Sequence, residues 1–304
     1  MELSDLQMFV SVTDAGGITR AARELHTVQS NISARVSSLE KELGAQLFRR
    51  HARGVVLTRA GEQLLPLAQQ ILHLAQEARR CVADGTLRGP LRIGALETTA
   101  GLRLPWVLPS FTADCPDVDL SLVTGPTEAL IKDVLEYRLD GALVTGPVKS
   151  ADLDESVVFT EHLVVVTARR NQDLNDVLHG PGGPRLLVFR AGCSYRQRLE
   201  GLVRARGAIP SKCHEYGTLE GILGCVAAGL GITMLPRAVV EQYRDRESLR
   251  MHEPSAEEAH ADTVFVRRRD TAPTSALTRF VEHARAAGRP TALRALDGVR
   301  TAPA

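Results

Sequence analysis

The spacing of the apolar residues changes at residues 85–90 of this 304-residue chain. Before that point they recur every three or four positions, as in amphipathic helices. After it, short strand-like runs are separated by helical stretches, a pattern typical of α/β domains. The intervening segment, "GTLRGP", contains two glycines and a proline and is interpreted as a hinge. The chain is therefore expected to join a helical N-terminal part to a larger α/β part.

Composition narrows the class of protein. A hydrophobic content of 44% and a charged content of 24% are ordinary for a globular chain, and a net charge of +1 excludes an evenly basic one. The five cysteines are widely spaced without a C-x-x-C pair, so neither a disulfide framework nor a zinc site is predicted. With no basic, apolar leader and no apolar run long enough to span a bilayer, we expect a cytoplasmic protein without membrane contact.

Three short helical patterns occupy the first 43 residues. Residues 3–15 place Leu6, Phe9 and Val10 on one face, and two glycines end this helix. A second short helix contains two small alanines that permit close approach by a neighbour. After a tight turn, a third helix turns Ile32 and Val36 back towards them. This arrangement predicts a helix-turn-helix motif.

The third helix begins with a polar turn, and Thr27 is its expected cap. In a helix-turn-helix, the N-terminal residues of the second motif helix reach base edges in the major groove of DNA. Glutamine and asparagine can pair with adenine, serine can bond to base edges or phosphate, and the free helix amides suit phosphate. The predicted contact residues here are Thr27, Gln29, Ser30, Asn31, Ser33 and, for the DNA backbone, Arg35.

A cluster of arginines follows this motif. Arg49, Arg50 and Arg53 surround a turn that precedes a short apolar strand. An isolated cluster of this kind is more often a solvated loop. Directly after a helix-turn-helix, however, it predicts a wing that contacts phosphate or the minor groove.

Residues 59–84 form one long helical pattern. Its apolar residues are separated by alternating steps of four and three, as in the seam of a coiled coil. Such a stripe is more often ordinary core, but no other N-terminal segment is left over to cover it. We therefore predict that two copies of the chain pair through this helix, with Pro66 kinking it near its start. The predicted dimerisation residues are Leu64, Leu67, Ile71, Leu74 and Ala78.

The N-terminal region resembles the LysR-type transcriptional regulators. The resemblance is carried by "LQMFVSVTDAGGITRAARELH", "VQSNISARVSSLEKELGAQLFRR" and "RGVVLTRAGEQLL", and "GTLEGILGCVAAGLGITMLP" extends it into the second half. It implies an α+β multidomain protein: a winged helix-turn-helix at residues 1–58, a linker helix at 59–84, a hinge at 85–90 and a two-lobed α/β domain at 91–290, similar to periplasmic binding proteins. It also implies pairing of dimers into a tetramer and contact with RNA polymerase.

The α/β half is expected to alternate strands with helices. Lobe I is assigned to about residues 91–160 and 266–290, lobe II to about 161–265, and residues 291–304 to a disordered tail. The predicted strands are residues 91–95, 118–123, 141–145, 157–166, 186–189, 215–216, 231–235 and 263–267, and the predicted helices are residues 102–112, 127–137, 195–206, 219–228 and 275–287.

Polar residues stand where the predicted strands end, which is where open α/β sheets bind ligands. Any single one of them is more often a helix cap. Together they predict a cleft for a small-molecule effector, and hydroxyls and amides at helix starts favour an anionic one, neutralised by Arg196 or Arg190. The candidate effector residues are Thr98, Thr99, Thr127, Thr145, Ser194, Tyr195 and Arg196.

The sequence argues against two other functions. A redox switch at Cys193 is disfavoured, because peroxide-sensing relatives place their reactive and resolving cysteines where this chain has Ser194 and Val203. An enzyme is disfavoured because no G-x-S-x-G, H-E-x-x-H or phosphate-loop motif occurs, and no cofactor or metal is expected. Pro254 breaks the His- and Glu-rich stretch at residues 252–260, which is interpreted as a solvated loop. The main alternative is a solute-binding or catalytic α/β protein with an incidental helical N-terminus, which would not bind DNA.

Overall fold

The structure is a computed structural model that describes residues 1–51, 54–82 and 87–288. The described residues divide into two compact units, one formed mainly by residues 1–82 and the other by most of residues 87–288. The predicted tail at residues 291–304, residues 85 and 86 of the predicted hinge and Arg53 lie outside the described residues, whereas hinge residues 88–90 begin the strand Arg88–Ala95. The side chain of Arg50 also lies outside the described part of the chain.

The N-terminal unit is a helical bundle with a β-hairpin. Its elements are α1 (Leu3–Ala15), α2 (Ile18–Glu24), α3 (Gln29–Leu43), β1 (Phe48–His51), β2 (Gly54–Leu57) and α4 (Arg59–Val82). Leu6 and Phe9 of α1 pack with Ile32 and Leu39 of α3 in a core where all four side chains are fully buried. The ring of Phe48 lies 5.3 Å from that of Phe9, so the hairpin is anchored on the same core.

The ends of these helices follow local backbone chemistry. Gly16 and Gly44 close α1 and α3 with φ of 64° at both positions, a conformation that glycine adopts without steric cost. The predicted cap of α3 needs correction: the N-cap is Val28, and no side chain bonds to the free amides there. Thr27 lies one residue earlier, and its hydroxyl accepts a hydrogen bond from the side-chain amide of Asn31 at 3.1 Å.

The C-terminal unit alternates strands and helices. Its strands are β3 (Arg88–Ala95), β4 (Asp117–Thr124), β5 (Gly141–Thr145), β6 (Leu153–Ala168), β7 (Arg185–Phe189), β8 (Lys212–Tyr216), β9 (Thr233–Pro236), β10 (Leu249–His252) and β11 (His260–Arg268). Its helices are α5 (Glu97–Leu102), α6 (Leu104–Asp114), α7 (Thr127–Leu135), α8 (Leu174–His179), α9 (Ser194–Ala205), α10 (Leu219–Ala227), α11 (Arg237–Glu241), α12 (Ala256–Ala259) and α13 (Ser275–Gly288), with a 3-10 turn at Arg246–Ser248.

Strand pairing defines two lobes in this unit. The main sheet has the order β10, β6, β11, β5, β3, β4, and β9 also pairs with β6. In lobe I, β3 is parallel to β4 and β5, while β11 is antiparallel to β5. In lobe II, β7 and β8 form a parallel pair that reaches the β9 region through a bridge between Leu186 and Ile232.

The long strand β6 belongs to both lobes. Residues 153–162 pair with β11, and residues 163–168 pair with β9 and β10. A separate cluster of buried side chains, including Phe111, Phe265 and Phe280, fills one side of lobe I. The two lobes are therefore connected by continuous extended backbone, with a register shift in β11 between Thr263 and Val264.

The predicted fold class is confirmed: a winged helix-turn-helix, a long helix and a two-lobed α/β domain. Five helices and strands of the C-terminal unit lie outside the sequence predictions, namely α5, α8, α11, α12 and β10, and all are six residues long or shorter. Thr98 and Thr99, which follow the first predicted strand, lie in helix α5. Within the described ranges, no helix is both long and apolar enough to cross a bilayer.

Candidate functional site

Helix α3 has two chemically different faces. Ile32, Val36 and Leu39 are buried against the other helices. Gln29, Ser30 and Asn31 are exposed at its N-terminal end, and Thr27 and Ser33 are half-buried beside them. The predicted reading residues thus form one polar edge on a helix held rigidly by its opposite face.

Arg35 points towards α1. Its guanidinium donates to Ser4 Oγ at 2.7 Å and to the buried carboxylate of Asp5 at 3.0 Å. In this arrangement Arg35 holds α3 against α1. A contact between Arg35 and the DNA backbone, as predicted from the sequence, would require a guanidinium that already bonds to Ser4 and Asp5.

The hairpin is fixed to α3 by a residue that the motif analysis missed. The Glu40 carboxylate accepts hydrogen bonds from the Leu47 and Phe48 amides, at 2.7 and 3.2 Å. Arg49 is exposed on β1, where it pairs across the hairpin with Val56. Glu40 therefore sets where the arginine-bearing hairpin begins relative to the polar edge of α3.

The seam of α4 is only partly covered. Leu64 and Ile71 are half-buried because they pack on the core of the N-terminal unit. Leu67 and Leu74 remain 55% and 50% exposed, and Ala78 is exposed as well. The predicted dimerisation residues thus divide into two that also serve the chain's own core and three that face outward.

A cavity of about 240 Å³ lies in the C-terminal unit where four strand-to-helix connections meet. Two of these connections belong to lobe I and two to lobe II. Its lining comprises Leu96, Glu97, Thr98, Thr124, Gly125 and Pro126 from lobe I, and Phe189, Arg190, Cys193, Tyr195, Tyr216 and Gly217 from lobe II.

Two of the seven candidate effector residues line this cavity. They are Thr98 and the buried Tyr195, whose pKa burial raises to about 12, while the nearby Thr98 and Thr145 hydroxyls lower it by less. The phenol is therefore neutral at physiological pH and can donate a hydrogen bond.

The other five candidates are not among the lining residues of the cavity. Thr99 is buried within α5. The hydroxyl oxygens of Thr127, Thr145 and Ser194 are buried and make no hydrogen bond of normal geometry in the described structure, and the same holds for Thr98. Buried hydroxyls of this kind are uncommon, because each forgoes the bonds that it would make to water.

Arg196 is already paired with two carboxylates. Its guanidinium donates to Glu200 at 2.9 Å and to Glu215 at 2.5 Å, and these carboxylates raise its pKa. The other arginine considered for an anionic ligand, Arg190, does line the cavity.

Glu97 is a lining residue that motif reasoning missed. It occupies the first position of α5, and its carboxylate accepts a hydrogen bond from the Leu219 amide at 3.0 Å. Burial raises the pKa of Glu97, the Leu219 bond lowers it, and Glu220 raises it further. An acidic residue directly after a strand is usually a solvent-exposed helix cap, so the sequence gives no sign that Glu97 lines a cavity. Its position becomes evident only in the folded structure, where α5 meets α10.

Cys193 shows no sign of activation. Cys115, Cys193, Cys213 and Cys225 are free thiols among the described residues, and Cys193 is buried beside the cavity. Burial raises the pKa of Cys193, which disfavours the thiolate that redox chemistry needs.

A winged helix-turn-helix joined to a two-lobed domain with a cavity between the lobes defines a class: DNA-binding regulators that carry a ligand-binding domain. Family comparison agrees. The family "Bacterial regulatory helix-turn-helix protein, lysR family" matches residues 3–62, and the "LysR substrate binding domain" matches residues 84–289. The chain belongs to the LysR family, and it is a LysR-type DNA-binding transcriptional regulator with a C-terminal effector-binding domain.

Relatives extend over nearly the whole chain. The "HTH-type transcriptional regulator GltR" of Bacillus subtilis (strain 168) is 40% identical over 286 residues, covering 94% of this chain and 96% of the relative. The "HTH-type transcriptional regulator SoxR" of Arthrobacter sp. (strain TE1826) is 41% identical over 283 residues, covering 93% of this chain and 96% of the relative.

Solved structures share the fold. A full-length OxyR variant of Pseudomonas aeruginosa matches with a TM-score of 0.70 at 24% identity, covering 94% of this chain and 98% of the other. Full-length CbnR in complex with its target DNA matches with a TM-score of 0.65 at 24% identity, covering 94% and 100%.

Proposed function

We propose that this regulator reads its operator with the polar edge of α3, and that a small molecule in the interlobe cavity modulates the binding. One observation carries the first part: Gln29, Ser30 and Asn31 are exposed on a helix whose opposite face is fully buried. Such an edge is suited to base edges, because the Gln29 amide and the Ser30 hydroxyl keep their hydrogen-bonding capacity and Asn31 gives up only one bond, to the Thr27 hydroxyl.

Side-chain chemistry indicates which residues contact bases and which contact phosphates. Amide groups of Gln29 and Asn31 distinguish base pairs, each two-bond contact contributing about 1–3 kcal/mol of discrimination. Arg49, with the neighbouring Arg50 and Arg53, supplies charge to phosphates without regard to sequence. Arg35 acts through the position of α3.

Pairing of two copies through α4 places two reading edges on one operator. Leu67 and Leu74 are the side chains that a second copy would cover. Further pairing of dimers into a tetramer, and contact with RNA polymerase, complete the assembly proposed from the family.

The cavity supplies the modulation. A ligand that touches residues of both lobes favours their closure by the difference in its affinity for the open and closed states. The strands β6 and β11 join the lobes and would bend with such a change. A coupling of about 1–3 kcal/mol to the DNA-binding state is the usual size of this effect.

A mobility-shift assay with the DNA upstream of the chain's own coding sequence tests the proposal. We expect sequence-selective retardation that weakens steeply as salt rises. The competing function, a solute-binding or catalytic α/β protein, predicts no retardation at modest salt. A scrambled duplex of the same length and composition is the control, and equal retardation of both duplexes would contradict selective reading by α3.

A further inference from the structure

The interlobe cavity carries one charge of each sign. Glu97 comes from α5 in lobe I, and Arg190 follows β7 in lobe II. They are the charged residues among the described lining. The remaining lining is largely apolar or aromatic and includes Leu96, Pro126 and Phe189.

The Glu97 carboxylate lacks a cation. One of its oxygens accepts the Leu219 amide, and no basic side chain in the described structure pairs with it. Burial, the largest influence, raises its pKa, as it does for a carboxylate whose charge is poorly compensated. A ligand that brought a positively charged group here would stabilise the ionised form.

Arg190 lacks an anion. Its guanidinium makes no hydrogen bond or ion pair with the residues that the structure describes, and the side chain is exposed at the cavity. Arg196, six residues further on, is the contrast, because two carboxylates already occupy it. Arg190 can therefore offer a paired set of N–H donors to a ligand carboxylate.

A ligand with a single charge fits this cavity poorly. A plain carboxylate would satisfy Arg190 but would bring a second negative charge into the space that Glu97 lines. A plain amine would satisfy Glu97 and leave Arg190 without a partner. A zwitterion satisfies both, and the apolar walls formed by Leu96, Pro126 and Phe189 suit an uncharged side chain.

We propose that the effector is an α-amino acid with an apolar side chain, bound with its ammonium group at Glu97 and its carboxylate at Arg190. This inference rests on the proposed function, since it names the ligand class of the same cavity. It makes Glu97 the residue that selects amino acids over simple carboxylic acids.

Matched ligand sets test the inference on the full-length protein by titration calorimetry. One set is L-phenylalanine, 3-phenylpropanoate and 2-phenylethylamine; the other is L-leucine, 4-methylpentanoate and 3-methylbutylamine. Within each set, the three molecules differ in the ammonium or the carboxylate and share the side chain. We expect at least one amino acid to bind at least tenfold more tightly than both of its analogues.

Two variants then assign the charges. Glu97→Gln is expected to weaken amino-acid binding at least tenfold while leaving the carboxylate analogue unchanged or tighter. Arg190→Gln is expected to weaken the amino acid and the carboxylate analogue alike. Glu220→Gln is the matched control, because Glu220 is exposed on the first turn of α10 and does not line the cavity.

The outcomes separate this inference from the proposed function. If neither amino acid binds, or if the carboxylate analogues bind as tightly, the amino-acid assignment is overturned. Selective DNA retardation would still support the regulator in that case. Loss of amino-acid binding in Glu220→Gln equal to that in Glu97→Gln would also overturn the role of Glu97.

Discussion

The Arg35 guanidinium on α3 lies 3.0 Å from the Asp5 carboxylate on α1. Asp5 is only 6% exposed, so its carboxylate has little contact with water and bonds to groups of the protein instead. The same guanidinium bonds to Ser4 Oγ, which makes Arg35 the polar link between the reading helix and the first helix. The position of the polar edge of α3 therefore depends on an ion pair on the side of the helix that faces α1.

Arg35→Ala is expected to destabilise the N-terminal unit by about 1–2 kcal/mol, because it leaves a buried carboxylate without its cation and Arg35 itself is partly exposed. Urea denaturation of the full-length protein measures this. Arg23→Ala, an exposed position on α2, is the control and is expected to change stability by less than about 0.5 kcal/mol. Equal effects of both substitutions would show that the Arg35 pair contributes nothing specific.

A second ion pair gives a pH-dependent prediction. Arg206 binds both carboxylate oxygens of Glu258, at 2.9 and 3.0 Å, and lowers the pKa of Glu258 from 4.5 to about 2. A lowered carboxyl pKa stabilises the fold above the unfolded value, and this stability is lost as pH falls through the folded value.

Arg206→Gln is accordingly expected to cost about 1 kcal/mol at pH 7, after allowing for solvent screening of a partly exposed pair. The difference from the parent protein is expected to shrink between pH 4.5 and about pH 2. Denaturation measured across that range checks it. Arg204→Gln, whose side chain is 73% exposed, is expected to show no such trend; a difference that stayed constant at low pH would argue against the Glu258 linkage.

The sequence predicts the long elements of this fold well, for a physical reason. In α3, Ile32, Val36 and Leu39 recur with helical spacing because they meet one core, so periodicity alone identifies the buried face. Short elements such as α12 and β10 carry too few residues for a period to show. Helix α12 exists because Ser255 and Glu258 form a capping box, and Glu258 is also held by Arg206, which follows α9.

The ligand cavity was predictable only in outline. Strand ends indicate where a cleft lies, and Thr98 and Tyr195 do line it. Which arginine can bind a ligand depends on partners distant in sequence. Arg196 pairs with Glu215 of β8 and does not line the cavity, whereas Arg190 lines it. The role of Glu97 depends on Leu219, 122 residues away along the chain. Such pairings follow from tertiary packing and leave no local pattern.

Replacing glycine with alanine is expected to have opposite effects at two positions in the C-terminal unit. A β-carbon at Gly141 would overlap the Phe265 ring and lie 2.9 Å from the Val266 carbonyl oxygen. Gly201 lies in the exposed middle of α9 with nothing within 4 Å of the added atom. Gly141→Ala is expected to destabilise by about 1–3 kcal/mol, and Gly201→Ala to stabilise by about 0.5–1 kcal/mol.

Thermal denaturation of the two variants, with the parent protein alongside, measures both changes. The pair is its own control, because each substitution adds one methyl group to the same unit. A stabilising Gly141→Ala would mean that β5 and β11 can separate more freely than their packing indicates.

For DNA binding, Gln29 and Arg49 are expected to behave differently. Gln29→Ala is expected to reduce discrimination between operator and scrambled duplex by about 1–3 kcal/mol, since the amide reads a base. Arg49→Ala is expected to weaken binding to both duplexes alike and to reduce the dependence on salt by about one phosphate contact. Fluorescence anisotropy titrations over a series of salt concentrations separate the two. Identical behaviour of the variants would contradict the assignment of base and phosphate contacts.

The exposed half of the α4 seam predicts how the chain assembles. Leu67 and Leu74 are 55% and 50% exposed at seam positions one heptad apart, and covering them with a second copy would remove apolar surface from water. Leu74→Glu places a charge in that seam and is expected to reduce the number of copies in the assembly, as measured by sedimentation velocity. DNA binding is expected to weaken as well, because a single copy offers only one reading edge. Leu43→Glu, at a leucine that is 42% exposed at the end of α3, is the control and is expected to leave the oligomer intact. An unchanged sedimentation coefficient for Leu74→Glu would show that the copies pair through another surface.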